Sequence, residues 1–186
     1  CGHEVNGVKH DNTVRNKMVA QCWTRERYSE AMWGIYANDP RERFLRIKST
    51  PRKLMHALTS ARPQLAADLS RVGKVVYKPT NEIKDYYDQK KNADVDQNLL
   101  FQSLLLKRKA FTHEKEVRLI HCAMLERLDA KGLFWYEVDP HEMVTQIMAD
   151  PNCNRRKWKG EKQRLRSETG FQGAIKRSKL YDAPDW

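Results

Sequence analysis

Glu114 and Glu116, followed by Arg118, are the residues of this chain best spaced for acid–base or electrostatic chemistry. Successive residues of an extended strand point to opposite faces, so residues two apart share a face and the two carboxylates stand side by side if this stretch is extended. Their repulsion must be offset by Arg118 on the same face, by a basic neighbour such as Lys107 or Lys109, or by a ligand. Two readings are open. In one, the face is solvated and carries a Glu–Arg ladder of small energetic weight. In the other, the pair lines a cleft, where one carboxylate orients a hydroxyl and the other activates a nucleophile.

A second group of residues speaks for a polyanion. Between Asn154 and Lys179 ten Lys or Arg residues face two carboxylates, Glu161 and Glu168. Arg155, Arg156, Lys157, Lys159, Lys162, Arg164 and Arg166 would meet phosphates without reading sequence, and Trp158 would add a stacking platform for a single strand. The competing reading is a solvated helix face with Trp158 and Leu165 pinned to the core. The formal net charge of +11 favours DNA, RNA or another polyanion as partner.

Other chemistries find no footing. Cys1, Cys22, Cys122 and Cys153 are widely separated with no C-x-x-C pair, which argues against zinc and against a disulfide-stapled fold; reduced, mostly buried thiols are expected, and no metal. His3 and Glu4 lack a second His at helical spacing, so no metalloprotease helix starts there. A metal-dependent nuclease strand would place Lys two residues after an acid, where this chain has Glu116 and then Arg118, and Arg is a poor proton donor or acceptor. There is no nucleophile elbow and no glycine-rich phosphate loop.

The elements that must position these residues follow from periodicity and caps. Strands are expected near residues 18–24, 43–48, 72–77, 115–122, 134–138, 144–149 and 174–180, with 134–138 as an antiparallel neighbour of 115–122. Ser29 caps a short helix whose Trp33 and Tyr36 should face inward. Thr50-Pro51 starts a helix with a stripe of Leu54, Leu58, Leu65 and Leu69, kinked or broken at Pro63. Thr80 to Lys91 reads as a polar surface helix, and Asp96 begins another that carries Leu99, Leu100, Leu104 and Leu106. Asp139 and Glu142 resemble a helix-start box around Pro140, and residues 151–169 read as a basic helix closed by Gly170.

Several blocks in order carry a resemblance. Cys22-Trp23-Thr24, Glu30-Ala31-Met32-Trp33-Gly34-Ile35-Tyr36, Leu45-Arg46-Ile47-Lys48-Ser49, Val75-Val76-Tyr77, Leu106-Lys107-Arg108-Lys109 and Phe111-Thr112-His113-Glu114-Lys115-Glu116-Val117-Arg118 together resemble the bacterial and phage domain of unknown function 2971 family, from about Val19 to Tyr181. That family's pattern is similar to ADP-ribosyltransferase-like folds, in which a late strand carries Glu-x-Glu and an earlier strand a small polar triplet. The resemblance implies NAD as cofactor, with Glu116 holding the ribose 2′-hydroxyl and Glu114 helping the acceptor nucleophile. Carboxylates suit this role because positive charge develops on the sugar as nicotinamide leaves. It maps the triplet to Cys22-Trp23-Thr24, with Thr24 its only hydroxyl. Lys107 and Arg108 would contact a diphosphate or complement a helix C-terminus, Arg118 beside the acid pair would belong to the cofactor-binding set, and Trp23, Trp33 and Tyr36 would stack on nicotinamide or serve the core. The arginine or histidine that such folds carry on a first strand is absent before Met18 or lies upstream of Cys1, and without it this segment should bind NAD poorly.

At 186 residues, with 40% hydrophobic and 32% charged residues, the chain is expected to be a single α+β domain: a mixed, mainly antiparallel sheet with flanking helices. No apolar run approaches a membrane span and no signal-peptide pattern is present, so a cytoplasmic location without a membrane partner is expected. Because it opens at Cys1, the chain is also expected to be a segment of a longer polypeptide, its oligomeric state open. Two functions of different class follow: a transferase of the ADP-ribosyltransferase type in toxin or phage-defence biology, acting on nucleic acid or protein, and a non-catalytic nucleic-acid-binding module.

Overall fold

The computed structural model describes residues 4–5, 8–9, 15–27, 29–37, 39, 42–61, 68–90, 97–124 and 126–182. Along them run β1 (Glu4–Val5), β2 (Val8–Lys9), β3 (Met18–Thr24), α1 (Glu30–Tyr36), β4 (Leu45–Lys48), α2 (Pro51–Ala61), β5 (Ser70–Lys74), β6 (Val76–Lys78), α3 (Thr80–Lys90), α4 (Gln97–Ser103), β7 (Leu106–Arg108), β8 (Glu116–Cys122), α5 (Pro140–Met143), β9 (Gln146–Ala149), α6 (Trp158–Thr169) and β10 (Ala174–Arg177). The class is mixed α+β: helices accompany sheets whose pairings are antiparallel except β6 with β7 and β9 with β10. Among the described residues no helix is long and apolar enough to cross a membrane. Contacts gather the chain into two units, one from Cys1–Arg25 with Arg62–Tyr136, the other from Glu26–Ala61 with Glu137–Trp186.

In the first unit β8 is the middle strand, flanked antiparallel by β3 and β5. Its Val117, Leu119, Ile120 and Cys122 are all buried, as expected of a strand covered on both faces rather than one. The stretch expected as one strand over 72–77 is two, because the backbone changes partner between neighbours: the Val75 N–H donates to Glu116 O (3.0 Å) and the Val76 N–H to Leu105 O (2.7 Å). That switch lays β6 beside β7 and brings β7 to the start of β8. The helix expected from Asp96 is α4, with Leu100 and Phe101 buried; Leu104 falls in the following turn, Leu106 on β7, and Asp96 outside the described residues. Residues 134–138 form no strand, since both edges of β8 are already taken. They are irregular instead, with Phe134 stacked on His121 (5.0 Å between centroids) and on Tyr136 (5.8 Å).

In the second unit β9 is central, antiparallel to β4 and parallel to β10. Val144, Ile147, Leu165, Phe171 and Ile175 form its core cluster, with Met143 and Trp158 packed against it. The expected helix start at Thr50 is present: the Lys53 N–H donates to Thr50 Oγ1 (3.3 Å) and Pro51 opens α2. Leu54, Ala57 and Leu58 are its buried positions, Leu69 lies beyond it in a turn, and Pro63 and Leu65 are outside the described residues. Ser29 caps α1 by accepting from the Met32 N–H (3.2 Å), yet Tyr36 turns outward at 59% exposure, against expectation, and Trp33 is half-buried. Asp139 caps α5 through the His141 N–H (2.7 Å), which shortens the expected strand over 144–149 to β9. The basic helix begins only at Trp158, because Asn154 accepts from the Arg156 and Lys157 N–H groups and tightens 155–157 into a 3-10 turn; left-handed Gly170 (φ 66°) closes it as expected.

Candidate functional site

At the junction of β8, β3 and β7, four charged side chains interlock. Glu114 is not on the strand: it ends a 3-10 turn over Lys109–Glu114, and Lys115, in the left-handed region at φ 45°, stands between that turn and β8. The kink nevertheless delivers both carboxylates to one ammonium. Lys107 Nζ donates to Glu114 Oε2 and to Glu116 Oε2 (3.0 Å). Arg118 Nε donates to Glu116 Oε1 (2.8 Å), its Nη2 to Glu116 Oε2 (3.1 Å), and its Nη1 to the Leu104 carbonyl. Both carboxylates are buried, so the solvated-ladder reading of this face does not hold.

Backbone pairing sets the rest of the site. Thr24 lies opposite Glu116 across β3 and β8, Cys22 opposite Arg118 and Trp23 opposite Val117. Thr24 Oγ1 donates to the Glu114 carbonyl (2.5 Å), tying the 3-10 turn to β3. Trp23, one residue out of phase with Cys22 and Thr24, belongs to the other face of β3, where its Nε1 donates to Gln21 (2.9 Å). Tyr77, opposite Lys107 in the β6–β7 pair, accepts the Glu116 N–H at its hydroxyl (2.7 Å). No periodic signal betrays Tyr77 in the sequence. Phe111 lies under Lys107 Nζ (4.9 Å) and the Arg108 guanidinium (5.2 Å).

The electrostatics are those of a compensated buried cluster. Burial works to raise the Glu116 carboxyl, but hydrogen bonds from Arg118, Cys22 and Lys107, with the Arg118 charge, outweigh it and hold it at about 2. Burial works to lower the Lys107 ammonium, and its bonds to Glu114 and Glu116 reverse that and raise it. The Cys22 thiol, expected to be buried, is on an exposed residue; desolvation of the sulfur, a hydrogen bond with Glu116 and that carboxylate's charge push it up to about 11. At neutral pH the site therefore holds a fixed carboxylate, an ammonium, a guanidinium and a neutral thiol. Such a carboxylate stabilises positive charge and is a poor proton acceptor.

The remaining candidates are elsewhere. Trp33 and Tyr36 stand on α1 in the second unit. Arg155, Arg156, Lys157, Lys159 and Arg166 are exposed and Lys162 half-buried, while Arg164 sits between Glu161 (3.7 Å) and Glu168 (3.4 Å). Trp158 packs against the core cluster of the second unit. Two further groupings went unread in the sequence. Ser70 Oγ and His121 Nδ1, both on buried residues opposite each other in the β5–β8 pair, are 2.8 Å apart, and His121 Nε2 and Oε1 of the partly buried Glu126 are 3.0 Å apart. Asp129 clasps a surface loop by accepting from the Lys131 and Leu133 N–H groups and from Trp135 Nε1, a turn whose signal is present in Asp129-Ala130-Lys131-Gly132. Among the described residues no group of three or more His, Cys, Asp or Glu is placed to hold a metal. Comparison with known proteins finds no matching family model, no matching curated protein and no matching solved structure, so any functional reading rests on these residues themselves.

Proposed function

We propose that the chain is an ADP-ribosyltransferase-like enzyme of the cytoplasm, of toxin or phage-defence type, that cleaves the bond between nicotinamide and ribose in NAD and passes the ADP-ribosyl group to a nucleic acid or protein. The observation that carries this reading is the convergence of Glu114, Glu116, Lys107, Arg118 and Thr24 at one end of β8. A carboxylate offers about four lone-pair positions. Arg118 takes two of those on Glu116 and Lys107 a third. The weak thiol donor of Cys22 contends for the fourth, which a ribose 2′-hydroxyl outcompetes. As the glycosidic electron pair leaves with nicotinamide, the fixed Glu116 anion stabilises the positive charge on the ribose ring. The acceptor nucleophile then bonds to the same carbon and gives its proton to Glu114, one of whose oxygens lies on Lys107.

The test is nicotinamide release from labelled NAD, with and without RNA, DNA and cell lysate. Release that disappears in Glu114→Gln, in a variant shown folded by circular dichroism, supports the reading. No release from the wild-type chain under any of these conditions sinks it.

A second reading is favoured by the exposed cations of 155–166, of which Arg155, Arg156, Lys157, Lys159 and Arg166 have no ion pair among the described residues. In it the second unit binds a polyanion through phosphate contacts alone. It predicts duplex affinity that falls steeply with salt and a salt slope lowered by about 0.9 for each of Arg155, Arg156 and Lys157 changed to Ala.

A further inference from the structure

The sequence offers Trp158 as the indole on which a base could stack, but Trp158 is spent on the core of the second unit. Among the described residues the most exposed indole is that of Trp135, 70% exposed, in the first unit. It is not a loose side chain. Its Nε1 donates to Asp129 Oδ2 (2.8 Å), and the other oxygen of that carboxylate accepts from the Lys131 N–H (2.9 Å) and the Leu133 N–H (2.8 Å). The Asp129 N–H donates to Leu133 O (2.9 Å), the Gly132 N–H to Asp129 O (2.9 Å), and Gly132 takes the left-handed turn at φ 75°. From the other side, Phe134 and Tyr136 anchor the segment in the column that starts at His121. The indole is thus fixed by its polar edge, and its faces carry no ring contact among the described residues.

The loop over 127–136 carries two cations, Arg127 and Lys131, against one exposed carboxylate, Asp129, and exposed Glu137 follows it. Arg127 and Lys131, in the same loop, are exposed and have no ion pair among the described residues, while Asp129 is occupied by its three donors and Glu126 is turned inward to His121. An ordered, solvent-facing aromatic plane in a loop that also carries two exposed cations suits a base stacked on the ring and phosphates within reach of Arg127 and Lys131. A duplex hides its base faces and offers only phosphates. We propose that the loop over 127–136 is a stacking site for single-stranded nucleic acid, with Trp135 as the platform. This goes beyond both readings above, since it depends neither on NAD nor on the cations of 155–166.

The test is fluorescence anisotropy with a labelled oligothymidylate of about 15 nucleotides and a hairpin duplex of similar charge, between about 50 and 200 mM salt. The expected results are tighter binding of the single strand, a roughly 5- to 150-fold loss for Trp135→Ala, and near-retention by Trp135→Phe, which keeps a ring face without the bond to Asp129. Arg127→Ala with Lys131→Ala should lower the single-strand salt slope by about 1.4. Three outcomes each overturn the proposal: Trp135→Ala binding within about twofold of wild type, equal affinity for hairpin and single strand, or Phe as damaging as Ala, which would assign the effect to the clasp. Binding to phosphatidylserine vesicles without binding to the oligonucleotide would overturn it in favour of a lipid surface.

Discussion

Glu116 is where stability and chemistry meet. Its carboxyl sits at about 2 in the fold against an ordinary 4.5, so the folded form holds its proton less tightly than the unfolded one. The resulting stabilisation, on the order of 3 kcal/mol, is complete above about pH 5 and is lost as pH falls toward 2. Chemical denaturation at stepped pH should trace that loss in the wild type, and Glu116→Gln should lack this component of it. The same substitution leaves Lys107 and Arg118 without their shared carboxylate and should cost ~3–5 kcal/mol at neutral pH; a cost below about 1 kcal/mol would mean that the cluster is far better solvated than its burial indicates. Tyr77→Phe strips the Glu116 N–H of its acceptor and should cost about 1–3 kcal/mol, read in the same assay. Part of this site is legible in the sequence: two carboxylates two residues apart need a compensating cation, and Lys107 and Arg118 are the near ones. Tyr77 is not, because a hydroxyl reaching a backbone N–H 39 residues away leaves no mark on hydrophobic periodicity.

The elements around the site show where periodicity stops being informative. An i, i+2 spacing predicts that the acid pair shares a strand face, whereas the chain reaches the same convergence through a 3-10 turn and left-handed Lys115. A β-branched residue tolerates that conformation poorly, so Lys115→Val should lower stability by roughly 1–2 kcal/mol while Lys115→Gly stays close to wild type, both measured by urea unfolding. Equal losses for both would shift the weight from backbone conformation to the Lys115 side chain. The strand expected over 72–77 reads correctly as extended, but the pattern carries no trace of the partner change at Val75, since pairing is decided by distant segments. Residues 134–138 alternate like a strand for the same reason: alternation records an inner and an outer side, here Phe134 and Tyr136 against Trp135, and cannot say whether a neighbour bonds to the edge. Caps fared better, with Ser29, Thr50, Asp139 and Gly170 all found at helix ends, because a cap is a local bond between residues a few positions apart.

At the scale of the molecule, a net charge of +11 on 186 residues places like charges close together over the surface. Self-repulsion of this kind is screened by salt, while buried pairs such as Lys107 with Glu116 are screened much less. The melting temperature should therefore rise between about 20 and 200 mM sodium chloride, as followed by differential scanning fluorimetry, and a fall would show that exposed ion pairs outweigh the repulsion. The α+β class is legible from alternating strand and helix signals, but the grouping into units is not, since each unit is stitched from stretches far apart in the chain. That stitching has a cost in time. β4 leaves the ribosome about a hundred residues ahead of β9, the strand it pairs with among the described residues. At roughly 5–20 residues per second it waits on the order of ten seconds with an open edge, bearing Leu45 and Ile47 as bait for any other extended segment nearby.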